Sequence, residues 1–338
     1  MEIPRRTAAL PLIMTSTSAS GSPSPWRTTL GASDLSVSPL SLGGNVFGWT
    51  ADTEQSFAVL DAYTAAGGNF IDTADVYSAW APGNSGGESE TVLGEWLAAR
   101  GNRAEIVVAT KVGSHPEYRG LKAATIAAAT EQSLRRLGTD TIDLLYTHFD
   151  DESTPVEEIV TALDALVRAG KVRHIAASNI SPRRLTDSLE FSRREGLAAY
   201  VALQPRYNLV SRDSYEGELA DVAAAFGLSA VPYAGLAAGF LTGKYRPGGA
   251  AVDSVRAAGA SKYLETPTGP KVLEALDTVA AAHGAELGTV ALAWLLAQPT
   301  VAAPIASART VEQLPGLVAA IDLELGADEI QLLTAASA

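Results

Sequence analysis

Short apolar runs rich in β-branched residues alternate with segments of helical period along most of the chain, beginning after residue 26. The runs fall at 40–46, 69–72, 105–111, 141–147, 172–178, 200–204, 229–233 and 301–305. Their length and composition predict strands. Between them, helical periodicity covers 53–66, 87–99, 122–137, 155–169, 182–195, 213–226 and 287–297, with 311–321 after the last run. Eight strand–helix units in succession predict an α/β fold, a closed (β/α)8 TIM barrel, with a doubly wound sheet as the weaker alternative. Ahead of them, 26–29 and 35–37 flank Gly31-Ala32-Ser33-Asp34, the pattern of an N-terminal β-hairpin able to plug one end of a barrel. Two further helical segments, 271–283 and 327–336, exceed the count, and a long Gly- and Ala-rich loop, 234–270, follows strand seven. Excursions of that length usually build or cover a site.

Residues 26–338 read as one domain. Residues 1–25 read as a disordered tail, because 16–25 is rich in Ser and Pro with little to bury. Arg5-Arg6 followed by the apolar stretch 8–14 resembles an export signal only faintly, since the stretch is short and Pro11 interrupts it.

Charge and composition narrow the partners. The formal net charge is -13 and no basic cluster stands out, which argues against nucleic acid and requires any bound phosphate to be met locally. No uninterrupted apolar stretch has the length of a membrane span, so the expectation is a cytoplasmic protein that neither enters nor needs a membrane. The chain has no cysteine, which removes disulfides, thiolate chemistry and zinc–thiolate sites. His115, His148, His174 and His283 show no ligand spacing, so no metal is expected. Oligomeric state leaves no signature.

Chemistry collects where successive strands should end. The run Gly68-Asn69-Phe70-Ile71-Asp72 is followed by Thr73-Ala74-Asp75-Val76-Tyr77, which carries a tyrosine back over the same rim; the next strands end in Lys111 and His148. Polar residues at the C-terminal strand ends of such a barrel converge on one face, where these barrels do chemistry. A phenol, ordinarily titrating near pH 10, donates a proton poorly at neutral pH unless its anion is stabilised. Lys111 is the group expected to lower it, Asp72 to hold the lysine charged, and His148 to hydrogen-bond the phenol or the oxygen it serves. Asp140 and Asp143 read as structural.

From 28 to 336 the chain resembles the aldo-keto reductase family. The resemblance rests on Gly68 through Tyr77, Ala109-Thr110-Lys111, Ser133-Leu134-Arg135-Arg136-Leu137-Gly138-Thr139-Asp140, Ile142-Asp143-Leu144 through His148, Gly170-Lys171-Val172-Arg173, Ser178-Asn179, and Gly239-Phe240-Leu241-Thr242-Gly243-Lys244-Tyr245. It implies a barrel reductase that binds a nicotinamide cofactor without a Rossmann domain, with Tyr77 as general acid, Lys111 and Asp72 tuning it, and His148 orienting the carbonyl. It further implies that Ser178, Asn179 and Gln204 meet the nicotinamide carboxamide while Tyr233 stacks on the ring. Gly44, Asn45, Asp72, Leu236 and Gly239 are counted with them as cofactor contacts.

Lys244 can meet a pyrophosphate. Ser307, Arg309 and Gln313, at the start of the helix after strand eight, suit a phosphate monoester, since free backbone donors add to a guanidinium there. NADPH is therefore the expected cofactor and NADH the second choice. Two departures loosen that preference: Ala234-Gly235-Leu236-Ala237-Ala238 stands where many relatives carry Ser-Pro-Leu-Ala-Arg, and Pro315-Gly316-Leu317 follows Gln313. Trp49, Trp80, Tyr118 and Phe149 are expected to wall the substrate pocket, for an apolar or ring-shaped aldehyde or ketone, or a sugar. The competing reading is a cofactor-binding regulatory or redox-sensing subunit with little turnover.

Overall fold

A computed structural model describes residues 26–249 and 252–338; the expected N-terminal tail lies outside them. The chain opens with an antiparallel hairpin, β1 (Thr28–Thr29) and β2 (Ser36–Val37), in which Thr28 faces Val37. Gly31 turns it with a φ of +49°, and a side chain there would strike the Val201 carbonyl, so the turn needs glycine for both conformation and clearance.

Eight parallel strands follow: β3 (Ser41–Gly43), β4 (Phe70–Asp72), β5 (Val107–Val112), β6 (Ile142–Thr147), β7 (Val172–Ser178), β8 (Tyr200–Gln204), β9 (Ser229–Ala230) and β10 (Ile305–Ala306). They pair in the order β10-β3-β4-β5-β6-β7-β8-β9. Closure comes from a bridge between Ala230 and Val301, with Ala230 N–H donating to the Thr300 carbonyl at 2.7 Å and Ile305 N–H to Pro232 at 2.8 Å. The result is a (β/α)8 barrel with the expected hairpin. Its last two strands are shorter than the apolar runs 229–233 and 301–305 because Pro232 and Pro304 bring no N–H to the ladder.

The surrounding helices are α1 (Thr53–Ala65), α2 (Glu88–Arg100), α3 (Ala123–Leu137), α4 (Val156–Arg168), α5 (Pro182–Glu195), α6 (Glu218–Ala225), α7 (Ala257–Ser261), α8 (Gly269–His283), α9 (Leu287–Leu296), α10 (Leu314–Val318) and α11 (Ala327–Ala336). Asp52 and Gln55 form a capping box that starts α1. The periodic segment 311–321 is a 3-10 turn, α10 and a second 3-10 turn, with Pro315 in the first turn of α10, where its missing N–H costs nothing. No single helix among the described residues is long and apolar enough to cross a membrane.

Alternation along the strands positions the site. Phe70, Val107, Ala109, Leu144, Tyr146, Ala176 and Ala202 form an inner cluster with Leu30, Leu35 and Val37 of the hairpin, which plugs that end. Ile71, Val108, Leu145, Ile175, Ala177 and Leu203 face the helices. Side chains alternate across a strand. Two positions beyond the inward Phe70, Ala109, Tyr146, Ala176 and Ala202 stand Asp72, Lys111, His148, Ser178 and Gln204.

Candidate active site

The five inward residues meet at the C-terminal mouth, and the loop after β4 folds Tyr77 over them. That loop is fixed by Thr73 N–H to the Ala109 carbonyl (2.8 Å), Asp75 N–H to Lys111 (3.0 Å) and Tyr77 N–H to Ala74 (3.2 Å). Lys111 Nζ donates to Asp72 Oδ2 at 2.6 Å, to the Tyr77 hydroxyl at 2.8 Å and to the Thr73 carbonyl at 2.9 Å. The Tyr77 hydroxyl donates to Asp72 Oδ2 at 3.3 Å, and Gln204 Nε2 donates to Asp72 Oδ1 at 2.8 Å. The lysine and aspartate side chains are 1% and 2% exposed. All three donor hydrogens of the ammonium are thus used, as a buried lysine requires.

Burial dominates the electrostatics. The Tyr77 phenol is held well above its ordinary value by desolvation and then by the Asp72 charge, and the Lys111 ammonium is pulled down by its own burial against the support of Asp72. This corrects the expectation that Lys111 would lower the phenol: burial, and then the Asp72 charge facing the same hydroxyl, prevails, so Tyr77 holds its proton. His148 is pushed down to about 3 by burial and then by Lys111, which leaves a neutral imidazole; its buried Nδ1 has no partner. Its ring lies 6.0 Å from that of Tyr77. A protonated phenol beside a neutral imidazole can donate a proton to an oxygen placed between them.

The remaining strand-end residues brace one another. Asn179, in left-handed conformation at φ +49°, donates to the His148 carbonyl at 2.8 Å and to Ser178 Oγ at 3.0 Å and accepts from the Tyr233 hydroxyl at 2.9 Å. Ser178 Oγ donates to the Gln204 carbonyl at 2.8 Å. Ser307 donates to Asn45 Oδ1 at 2.7 Å across β10 and β3, and Gln313 Oε1 accepts from Arg309 N–H. Gly44 N–H donates to the Asp72 carbonyl at 2.7 Å, tying β3 to the same corner.

A cleft of about 640 Å³ runs from Asp72 and Tyr77 past Asn45, Tyr233, Leu236, Gly239 and Lys244 to Ser307, Arg309 and Gln313. Gly239, at φ +89°, lets Lys244 Nζ lie against its backbone, where a Cβ would come within 3.2 Å. Arg256, in the loop after β9, also lines this cleft. Burial and then the neighbouring Arg309 charge pull its guanidinium down. Neither arginine has a carboxylate partner among the described residues. Two guanidiniums lining one cleft, neither in an ion pair, suit an anion, with Glu286 and Glu312 also on its walls. The sequence reading missed Arg256; its signal was being the one cation between Arg246 and Lys262.

The aromatic residues form an arc beside the phenol. Trp80 packs edge-on to Trp49 at 5.5 Å and to Tyr77 at 6.1 Å, and Phe149 stacks on His148 at 5.1 Å. Trp80 and Phe149 are 49% and 52% exposed, open faces for an apolar ligand. Tyr118 is placed elsewhere, packed on His115 in a second concavity of about 530 Å³ that also includes Arg136. Behind the mouth, Asp75 is fully buried and no side chain pairs with its carboxyl among the described residues. It is pushed up to about 8 by burial and then by the charge of Glu90, which pairs with Arg136 at 2.7 Å. No group of three or more metal-ligating side chains occurs among the described residues.

Fold and mouth together define the class, a (β/α)8 barrel with a buried polar cluster at its C-terminal end. The Aldo/keto reductase family model matches residues 39–338, and the chain belongs to that family. It is 35% identical to norsolorinic acid reductase stcV of Emericella nidulans over 314 residues, covering 88% of this chain and 77% of that one. It is 34% identical to the probable voltage-gated potassium channel subunit beta of Oryza sativa subsp. japonica over 304 residues, 87% of this chain and 90% of that one. The aryl-alcohol dehydrogenase (NADP+) of Phanerodontia chrysosporium is 31% identical over 328 residues, 88% of this chain and 82% of that one. The protein is a carbonyl-reducing oxidoreductase.

Proposed function

We propose that the protein is an NADPH-dependent reductase of apolar, ring-bearing aldehydes or ketones, with Tyr77 as general acid. The observation that carries this reading is the contact of one protonated phenol with both members of a buried Lys111–Asp72 pair, at the end of a long cleft whose far part holds unpaired cations. The cleft fits the cofactor by its chemistry: Arg309, Arg256 and Lys244 are the groups for phosphates, and Tyr233, whose hydroxyl donates to Asn179, lines the end nearest the phenol. When bound, the nicotinamide supplies the hydride that adds to the carbonyl carbon. The chain does the rest: neutral His148 orients the carbonyl oxygen, Tyr77 protonates it, and Lys111 donates to the phenolate left behind.

Trp49, Trp80 and Phe149 favour a ring-bearing substrate, and two relatives carry names of the same kind, a norsolorinic acid reductase and an aryl-alcohol dehydrogenase. The setting is cytoplasmic, with a small-molecule carbonyl as partner. A second reading, a regulatory or redox-sensing subunit, draws on the relative named as a channel subunit. Steady-state consumption of NADPH and NADH across aryl aldehydes, quinones and keto-sugars separates the two. Turnover well above background with an aryl aldehyde supports the reductase; tight cofactor binding with background turnover across the panel supports the subunit.

A further inference from the structure

Asp72 makes its contacts unevenly. Oδ2 receives both Lys111 and Tyr77, whereas Oδ1 has a single partner, Gln204 Nε2 at 2.8 Å. The two residues are 132 positions apart in sequence and belong to β4 and β8, four strands apart in an eight-stranded barrel. Gln204 therefore spans the mouth from the opposite wall. It is 1% exposed, buried together with the carboxylate it meets. The amide orientation is chemically determined, since only its NH2 can face a carboxylate.

We propose that Gln204 is a positioning residue for the proton donor, acting through Asp72. This rests on Tyr77 being the acid. By donating to Oδ1, Gln204 fixes the rotation of the carboxylate, so that Oδ2 stays on Lys111 and only grazes the phenol. It also satisfies an oxygen whose orphaning in a buried site disfavours the anion. Without it the carboxylate is free to turn, take the Tyr77 hydrogen more directly and hold back the proton the reaction needs. Length matters: an asparagine from the same backbone falls a methylene short of the far wall.

The test uses the whole protein with Gln204→Leu and Gln204→Glu, reading NADPH dissociation constants by fluorescence titration and kcat with saturating NADPH and one saturating aldehyde from about pH 5 to pH 11. Gln204→Leu should lower kcat about 10-fold or more at saturating NADPH, whatever its effect on cofactor affinity, and move the alkaline limb of its pH profile, on which a proton donor is lost, upward by about one unit. Gln204→Glu carries a distinct signature. At alkaline pH two carboxylates oppose one another; on acidification they share a proton and the neutral carboxyl donates to Asp72 as the amide did. Its kcat relative to wild type should therefore rise as pH falls. Should Gln204→Leu fail to fold, this acid rescue still decides the matter. Wild-type-shaped profiles in both variants, with only cofactor affinity altered, would overturn the proposal and leave Gln204 as a cofactor contact. Tyr77→Phe, run alongside, separates the two readings: if it keeps most of its turnover the acid assignment falls, and this inference with it. If Tyr77→Phe is inactive while the Gln204 profiles stay unchanged, only this inference falls.

Discussion

The two ends of the barrel gather charge in opposite ways. At the hairpin end, Asp34 bonds Arg173 at 2.8 Å and His174 at 2.6 Å, and Asp143 bonds Arg173 and Arg103 at 2.8 Å each. Asp34 is lowered to about 2 by hydrogen bonds from His174 and then Arg173. Both aspartates there are matched, and for Asp34 the ionised form is favoured. At the opposite end burial wins: Tyr77 is pushed up, Lys111 down, His148 down to about 3 and Asp75 up to about 8. His148 Nδ1 is left without a partner there. Paired charges hold a structure; desolvated and incompletely satisfied groups are held in place for a ligand. The same barrel thus separates stability from chemistry by end.

The sharpest way to break this contrast is to remove the acid. Tyr77→Phe deletes one hydroxyl and is expected to leave cofactor affinity nearly unchanged while lowering turnover by about 100-fold or more; initial rates beside a fluorescence titration check it. Lys111→Met follows, because it strands Asp72 in a site almost without water. Breaking a buried pair from one side costs about 3–5 kcal/mol, readable by urea unfolding, and the apparent pKa of the acid should rise further. Asp72→Asn should be milder, and the double variant far from additive in both stability and kcat. Independent effects that multiply would show that the two residues do not work as a unit.

The barrel, its hairpin and the converging strand ends were legible in the sequence because each depends on local regularities. β-branched runs, helical periodicity and the alternation that carries Ala109 to Lys111 and Ala202 to Gln204 survive translation into space almost residue for residue. Residues whose surroundings come from distant chain were not legible. Arg256 sits in a loop without periodicity, so nothing local said that it would face Arg309. Tyr118 reads as a wall by its place after strand three, yet its loop packs it on His115. The direction of the Tyr77 shift was missed because sequence shows which charges are near but not how dry they are, and burial outweighed Lys111.

Cofactor choice tests the far end of the cleft. A charge-assisted hydrogen bond contributes about 1.5–3 kcal/mol, so Arg309→Ala should weaken NADPH by about 10- to 150-fold at roughly 1.4 kcal/mol per decade, with NADH little affected. Arg256 stands close enough to compensate, which places the single variant near the low end and the Arg256→Ala, Arg309→Ala double variant well above it. Parallel dissociation constants for both cofactors decide the matter. Equal losses for NADH and NADPH would mean that Arg309 supports the loop without reading the phosphate.

The comparison is sharpened most directly by two aspartates, one behind the mouth and one at the hairpin end, which should respond to pH with opposite sign, the second with the smallest effect of all. Asp75, raised from 3.8 to about 8, keeps a proton in the folded state that the unfolded chain has lost, so its contribution to stability falls as pH rises from about 4 to 8. Asp75→Asn, which imitates the protonated acid, should raise the melting temperature more at pH 8 than at pH 5. Asp34, lowered from 3.8 to about 2, supplies stability that is present above about pH 4 and lost as pH falls through 2. Its side chain is 71% exposed, so solvent screening limits Asp34→Asn to a cost within about 1 kcal/mol at neutral pH, smaller still in high salt. Turnover should not change, because the network lies at the end of the barrel away from Tyr77. Calorimetric melting at pH 3, 5 and 8, with and without salt, checks both signs. A larger loss for Asp34→Asn that ignores salt would mean that Asp34 holds the hairpin end by more than a screened surface pair.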